Sequence, residues 1–322
     1  MSRRDPQAVL VIQRGPLRDF VTSTAAMRQI RAAHPQARIT LLTSQLFQPL
    51  AKASPYFDTI EAGGDAHGAG EWMALIGRLR AARFERVYDL TAGGAGAIRA
   101  GLGPLTPTWV AASPAAGLTR RSQHPLDRQA EALRAAGVPA EGGEAGYAAP
   151  PDLSWVLKGG ASERFPQDAG ARRPNVLFIP APSETPAEAQ WPAERYGELG
   201  RQLRQRGYDL AIVGTPQDGD QARKIQHQAP GARDLTGAPD YVRIAQLAAR
   251  AAVAVGSDCS FLHLAVAAGA PGVVLCPRAI DPALGAPRGH VTALQADALA
   301  DLPPDYVIRA IGSLSSHGAQ SA

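Results

Sequence analysis

The sequence predicts an α/β fold made of two doubly wound, Rossmann-like domains in series. Three observations carry this expectation. Short β-branched runs alternate with stretches of helical length and pattern, the rhythm of parallel strands joined by crossover helices. The rhythm stops over residues 137–174, which are rich in Gly, Pro and Ala, and then starts again. The 322 residues are 45% hydrophobic, enough for two ordinary cores, which excludes a mostly disordered chain.

In the first half, Ala8–Gln13 reads as a β-branched strand, followed by a Gly-Pro loop and a helix from about Phe20 to Ala33. Arg38–Thr43 is the next strand, Gln45–Ala53 a helix and Thr59–Ile60 a short strand. A helix over roughly Glu71–Arg83, strands at Arg86–Leu90 and Pro107–Ala111, and a helix over His124–Ala136 complete the set. The connection holds one strand candidate, Ser154–Leu157. The second half reads as strand Asn175–Ile179, helix Pro192–Arg206, strand Asp209–Val213 and helices Gln217–Gln228 and Tyr241–Ala249. Strand Ala252–Gly256, helix Cys259–Ala268 closed by Gly269, and strand Gly272–Cys276 follow. A last helix over about Pro304–Ile311 precedes a Ser/Gly/Ala tail expected to fray. The expected domains are 1–150, a linker over 151–174, 175–303, and a terminal helix and tail over 304–322.

Charge has a location. The chain carries 33 Lys+Arg and 29 Asp+Glu, and the excess falls in the first half; residues 1–52 hold eight basic and two acidic side chains. A surface built from that stretch should attract anions. Three of the basic residues are lysines, and arginine suits bidentate contact with phosphate or carboxylate. Two cysteines, Cys259 and Cys276, imply no disulfide framework, and no Cys/His cluster has metal-site spacing. The first residues lack the apolar stretch of a secretory signal and no run approaches bilayer-crossing length, so a cytoplasmic protein is expected.

Doubly wound domains bind ligands beyond the carboxyl ends of their strands, in series typically across a cleft. Four loops therefore matter. After the first strand, Arg14, Arg18 and Asp19 lead into a helix; Asp19 suits a general base on a hydroxyl, or a helix N-cap. After the strand at 252–256, Ser257, Asp258, Cys259 and Ser260 open a helix whose N–H groups suit a diphosphate. Asp258 would repel phosphate and better accepts from sugar hydroxyls, or caps the helix. A helix N-terminal position lowers a thiol pKa, which applies to Cys259, though no base pairs with it. His263, one turn further, reads alone as structural. Ser183, Glu184 and Thr185 follow the strand at 175–179. Asp218, after the strand at 209–213, suits a ribose diol or a first-turn helix acid. No Gly-x-Gly-x-x-Gly follows the first strand, against a nicotinamide dehydrogenase, and aromatics at 6% with no stacking motif argue against nucleic-acid binding.

Taken together, these loops resemble the ADP-heptose:lipopolysaccharide heptosyltransferases of glycosyltransferase family 9, from about residue 8 to 277. Arg31–Leu42, Ser54-Pro55-Tyr56-Phe57-Asp58, Tyr88-Asp89-Leu90, Trp191–Tyr196, Asp234-Leu235-Thr236-Gly237 and the Asp258…His263-Leu264 spacing carry the likeness. The resemblance implies a glycosyltransferase B architecture of two domains facing a cleft, with acceptor on the first and nucleotide sugar on the second. It implies inverting, metal-independent transfer of heptose or a similar sugar to a lipopolysaccharide-type glycan, with no cofactor beyond the nucleotide-sugar co-substrate, ADP-heptose in the family. Asp19 matches the base and Asp258 the sugar-binding acid; Cys259 and Ser260 lie beside the diphosphate, Asp218 near the ribose, and Thr236, Gly237 and Pro239 near the adenine. Arg14 and Arg18 would meet an anionic acceptor at the inner membrane surface, where the protein would sit peripherally, without nucleic-acid partners.

The chain differs from the family pattern at several sites. Arg18 stands for the Gly before the base, Ala189 for a phosphate-binding lysine, and Cys259-Ser260 for Thr/Ser-Gly. Ile179-Pro180-Ala181 stands for His-Pro-Gly and Cys276–Ala279 for Gly-Pro-Thr-Asp/Glu. A missing lysine removes on the order of 2–4 kcal/mol of transition-state stabilisation unless Arg278 or Arg18 replaces it. The alternative function is a catalytically degenerate relative that binds a glycan, nucleotide or partner.

Overall fold

The structure, a computed structural model, describes residues 7–66, 68–91, 95–103, 107–111, 123–139, 148–158, 175–182, 185–237 and 240–318. The chain divides into two compact units, Met1–Pro151 and Asp152–Ala322. Arg3, Arg4, Ser183, Glu184 and Pro239 lie outside the described residues.

In the first unit the strands are β1 (Ala8–Gln13), β2 (Arg38–Thr43), β3 (Thr59–Glu61), β4 (Arg86–Asp89) and β5 (Thr108–Ala111). They pair in parallel in the order β3-β2-β1-β4-β5. The helices are α1 (Leu17–Ala33), α2 (Gln48–Ala53), α3 (Ala69–Ala81), α4 (Gly96–Leu102) and α5 (Pro125–Ala135). β1 lies at the centre, and Val9 to Ile12 are fully buried, as a parallel strand covered on both faces requires. Leu10, Ile12 and Leu42 pack with Leu75, Ile76 and Leu79 of α3 and Ile98 of α4. Burying each large side chain of this kind contributes about 1.5–3 kcal/mol.

The second unit has β6 (Asn175–Ile179), β7 (Asp209–Val213), β8 (Arg233–Leu235), β9 (Ala251–Ser257), β10 (Gly272–Pro277) and β11 (Val291–Ala296). Their order is β11-β10-β9-β6-β7-β8, again all parallel. Its helices are α6 (Ala193–Gln205), α7 (Gly219–Gln228), α8 (Tyr241–Ala248), α9 (Ser260–Ala267), α10 (Pro282–Gly285) and α11 (Pro304–Gly318). Trp191 is fully buried, donates from Nε1 to Leu302 O at 2.9 Å and stacks edge-on against Tyr196 at 4.6 Å. The Trp-Pro pair thus anchors the start of α6 to the segment before α11.

In each unit the strand order reverses beside the first strand, between β1 and β4 and between β6 and β9. A crevice opens at such a switch point outside the carboxyl ends of the strands. At Gly256 a Cβ would lie 2.1 Å from Ile179 O, so only glycine permits β9 to approach β6 so closely there.

Several expectations need correction. Ser154–Leu157 is a 3-10 helix, not a strand. Leu153 N donates to Ala267 O and Gln246 Nε2 to Val156 O, so the segment lies on α8 and α9 instead of a sheet edge. α4 was missed because two of its seven residues are glycine, and β11 because it is only half-buried. The last helix continues past Ile311 to Gly318.

Candidate functional site

In the first unit the loop from β1 to α1 sits at the switch point. Pro16 is the N-cap of α1 without a side-chain capping bond, and Asp19 is the third residue of the helix, so Asp19 is not its N-cap. A carboxylate there lies near the positive end of the helix dipole. Arg18 lies beside it, partly exposed. Arg14 is held: its Nε donates to Gly64 O at 2.6 Å, tying the loop to the turn after β3. The Asp65 carboxylate of that turn accepts from Oγ of Ser44, the residue after β2.

Asp89 ends β4, across the same switch point. Its carboxylate accepts from Ala95 N at 2.6 Å and Thr91 N at 3.1 Å. Burial raises its pKa; those N–H groups and the nearby Arg14 charge offset part of the effect. Asp89 shapes its loop rather than standing free for chemistry.

Among the described residues of the basic stretch, Arg31 is used to build the fold. Arg31 donates to Tyr56 O at 2.9 Å, Ala37 O at 3.0 Å and Asp58 Oδ2 at 2.5 Å. Asp58 Oδ2 also accepts from Ile39 N at 2.7 Å. Two of the sequence pieces that carry the likeness therefore form a structural knot between α1, β2 and the 54–58 turn. Burial raises the Asp58 pKa, but Ile39 N–H, Arg31 and Arg38 outweigh it and hold the carboxyl below its ordinary value. Arg38 stands at the amino end of β2, away from the switch point.

In the second unit, Asp258 follows β9 at the switch point. Its Oδ1 lies 2.9 Å from Nε2 of His263, which is 4% exposed. His263 is thus structural in a specific sense: it orients Asp258. Cys259, not Asp258, is the N-cap of α9, and Ser260 is its first residue. The expected lowering of the Cys259 pKa is reversed. Burial, then the charges of Asp258 and Asp218, push the thiol up to about 11 against the N–H groups of Leu262 and Phe261. Cys276, buried at the end of β10, is shifted upward too, by burial and by Asp258.

Asp218 is buried, and its Oδ2 accepts from both N and Oγ1 of Thr215 at 2.8 Å. This is a reciprocal cap that closes the loop after β7. A Cβ on Gly214 would lie 3.0 Å from Asp218 Oδ2 and 3.3 Å from Thr236 Cγ2, so these three residues converge. Thr236 Oγ1 donates to Asp234 Oδ1 at 2.6 Å, and the neighbouring Gly237 is exposed. Arg278 follows β10, with Nε donating to Asp297 Oδ1 at 3.1 Å; both side chains are largely exposed. Ala189, in a 3-10 helix before Trp191, brings no cation to this face. Among the described residues no group of three or more His, Cys, Asp or Glu could hold a metal ion.

The structure places Arg14 in the loop after β1 and Arg18 and Asp19 in the first turn of α1. It gathers Asp218, Thr236, Asp258, Cys259 and Ser260 at one end of the second sheet, with Arg278 at the adjoining strand end. Sequence reading missed Gln13, the last residue of β1, which is fully buried and hydrogen-bonded on both sides of its amide. A polar residue closing an otherwise apolar buried strand was the available signal.

Residues 113–277, just over half of the chain, match the family described as glycosyltransferase family 9 (heptosyltransferase). The chain is 27% identical over 298 residues to lipopolysaccharide heptosyltransferase 2 of Escherichia coli K12, covering 83% of this chain and 82% of that protein. Its fold is similar to that of the glycosyl transferase family 9 protein from Veillonella parvula, with TM-score 0.76, 16% identity and 97% of each chain covered. Similarity extends to the Escherichia coli heptosyltransferase WaaC solved with ADP, with TM-score 0.72, 18% identity, and 95% of this chain and 99% of that one covered. This chain belongs to glycosyltransferase family 9, the heptosyltransferases.

Proposed function

We propose that the protein moves heptose or a similar sugar from a nucleotide diphosphate to a lipopolysaccharide-type or other cell-envelope glycan, inverting the anomeric centre without a metal. The observation that carries this reading is the placement of one acid at each switch point, Asp19 in the first unit and Asp258 in the second, in a family 9 chain. Asp19 takes the proton of the acceptor hydroxyl as its oxygen attacks the anomeric carbon. The bond from that carbon to the diphosphate breaks on the opposite side, so a single displacement inverts the centre. Asp258, oriented by His263, accepts hydrogen bonds from donor-sugar hydroxyls.

The leaving diphosphate carries the developing charge. The positive end of the α9 dipole and the N–H groups of its first turn, beginning at Ser260, can receive it. Arg278 can add a cation, because an exposed pair such as Arg278–Asp297 is worth only about 0–1 kcal/mol and is easily exchanged. No step in this scheme needs a metal. Asp218 shapes the loop expected to receive the ribose, and Thr236 and Gly237 flank the base. ADP is the favoured nucleotide, on the likeness to WaaC solved with ADP.

The acceptor is expected at the inner membrane surface, with the protein cytoplasmic and peripheral. Among the described residues no helix is long and apolar enough to cross a membrane. One observation favours the second reading, a binding module without turnover: Ala189 leaves the phosphate-binding lysine position uncharged. Calorimetry with ADP, UDP and GDP on the wild type and Arg278→Ala tests the proposal. ADP should bind best and Arg278→Ala should weaken it; no nucleotide binding at millimolar concentration would overturn the reading as an active enzyme.

A further inference from the structure

We infer that Gln13 is a positioning residue for the Asp19 carboxylate, acting through the loop that contains Gly15. This rests on the reading of Asp19 as the base. Gln13 is fully buried at the end of β1. Its Oε1 accepts from Gly15 N at 2.9 Å. Its Nε2 lies 3.3 Å from Asp19 O, 3.1 Å from Leu90 O and 2.6 Å from Ser23 Oγ.

The amide orientation follows from chemistry. A backbone N–H only donates, so the oxygen must face Gly15; two carbonyls only accept, so the nitrogen must face Asp19 and Leu90. One side chain thereby joins the loop, the first turn of α1 at Asp19 itself, and the exit of β4. Ser23 Oγ extends the set: the two hydrogens of Gln13 Nε2 are shared among Ser23 Oγ, Leu90 O and the more distant Asp19 O, and Ser23 Oγ also accepts from Gln129 Nε2 of α5 at 2.8 Å. A leucine at position 13 would continue the apolar run of β1 and make none of these bonds.

Gly15 supplies a second, independent observation. A Cβ there would lie 2.7 Å from Asp19 Oδ2 and 3.1 Å from Gln13 Oε1. The Asp19 carboxylate therefore folds back over the loop backbone, into space that exists only because residue 15 lacks a side chain. Gln13 holds that backbone in place, so the amide and the glycine together set where the carboxylate can reach. Misplacing a catalytic group by about an ångström costs up to about 100-fold in rate.

The test measures transfer from ADP-heptose to lipopolysaccharide lacking heptose, for Gln13→Leu, Gln13→Glu, Gly15→Ala and Asp19→Asn. Gln13→Leu and Gly15→Ala should lower kcat by about 10- to 100-fold, with donor KM within about twofold. Gln13→Glu can still accept from Gly15 but places a negative charge near Asp19. It should move the acidic limb of kcat/KM upward by about one pH unit. Hydrogen exchange at the Gly15 amide should speed up in Gln13→Leu without any ligand present. If Gln13→Leu fails to fold, Gly15→Ala carries the test, since it leaves the buried amide in place. Wild-type kcat and an unmoved acidic limb in folded variants, beside an inactive Asp19→Asn, would overturn the inference alone. An active Asp19→Asn would overturn the reading of the base beneath it.

Discussion

The two halves of this chain share a strand plan and place their acids by different means. Each sheet reverses order beside its first strand, and each puts a carboxylate at the reversal. In the first half Asp19 sits in the first turn of α1, and a buried amide and a glycine hold the loop that leads into it from the central strand. In the second half the acid comes from the fourth strand of its sheet, and an imidazole one helical turn away holds it. One topology thus supports two kinds of site, because the loops beyond the strand ends carry the chemistry and the sheet only sets where they emerge.

The largest expected effect falls on the first half. Asp19→Asn keeps the shape of the side chain and removes its basicity, so turnover should drop by about 10²–10⁴-fold while ADP affinity by calorimetry stays nearly unchanged. Retained turnover would end the contrast, leaving the first half without a chemical group.

His263→Leu tests the second half. Releasing Asp258 from its partner should raise donor KM by about tenfold or more, and His263→Gln, whose amide can still donate, should recover part of the loss. Equal effects of both substitutions would mean that packing, not orientation of Asp258, is what His263 contributes.

Ala189→Lys adds a cation at the position where the family resemblance implies a phosphate-binding lysine. It should tighten ADP binding about tenfold by calorimetry if the diphosphate lies within reach of that 3-10 helix. Unchanged affinity would assign the charge to Arg278 or to the start of α9.

Two smaller effects separate structural groups from chemical ones. With its thiol pushed up to about 11, Cys259 should resist alkylation by iodoacetamide at pH 7.5, read by mass spectrometry. Rapid labelling would contradict the raised thiol pKa. Asp58→Asn should leave kcat unchanged and lower the melting temperature by roughly 2–4 °C near pH 7. The Asp58 pKa is depressed in the folded state, so its stabilisation is complete above the ordinary value of 3.8 and is lost as pH falls through the lower folded value. The difference between variant and wild type should therefore shrink on acidification below that range.

Much of the fold was legible because it is written in local patterns. Val9–Ile12, Val176–Ile179 and Val253–Val255 are short apolar runs that belong to buried parallel strands, and their recurrence between helices implies doubly wound sheets. Segments whose assignment depends on partners were misread. Ser154–Leu157 has strand-like residues, but Val156 O accepts from Gln246 and the preceding Leu153 N donates to Ala267 O, and the half-buried β11 shows little periodicity of its own. The positions of Asp19 and Asp258 were also legible, since both follow directly from a strand leading into a helix.

The sequence by itself determined the alternation of elements, the repetition of the Rossmann-like unit and the order of the acids along the chain. These depend on spacing between neighbours, which local propensity and burial pattern encode. Only the tertiary structure decided what each polar group meets. Gln13 and Leu90 are 77 residues apart, and Ser23 and Gln129 are 106 apart. The direction of the Cys259 shift came from burial and from Asp218, a residue on a different loop. Arg31 became a structural clamp because Asp58 folds against it. Desolvation and electrostatics sum over everything nearby in space, and spacing along the chain does not report that sum.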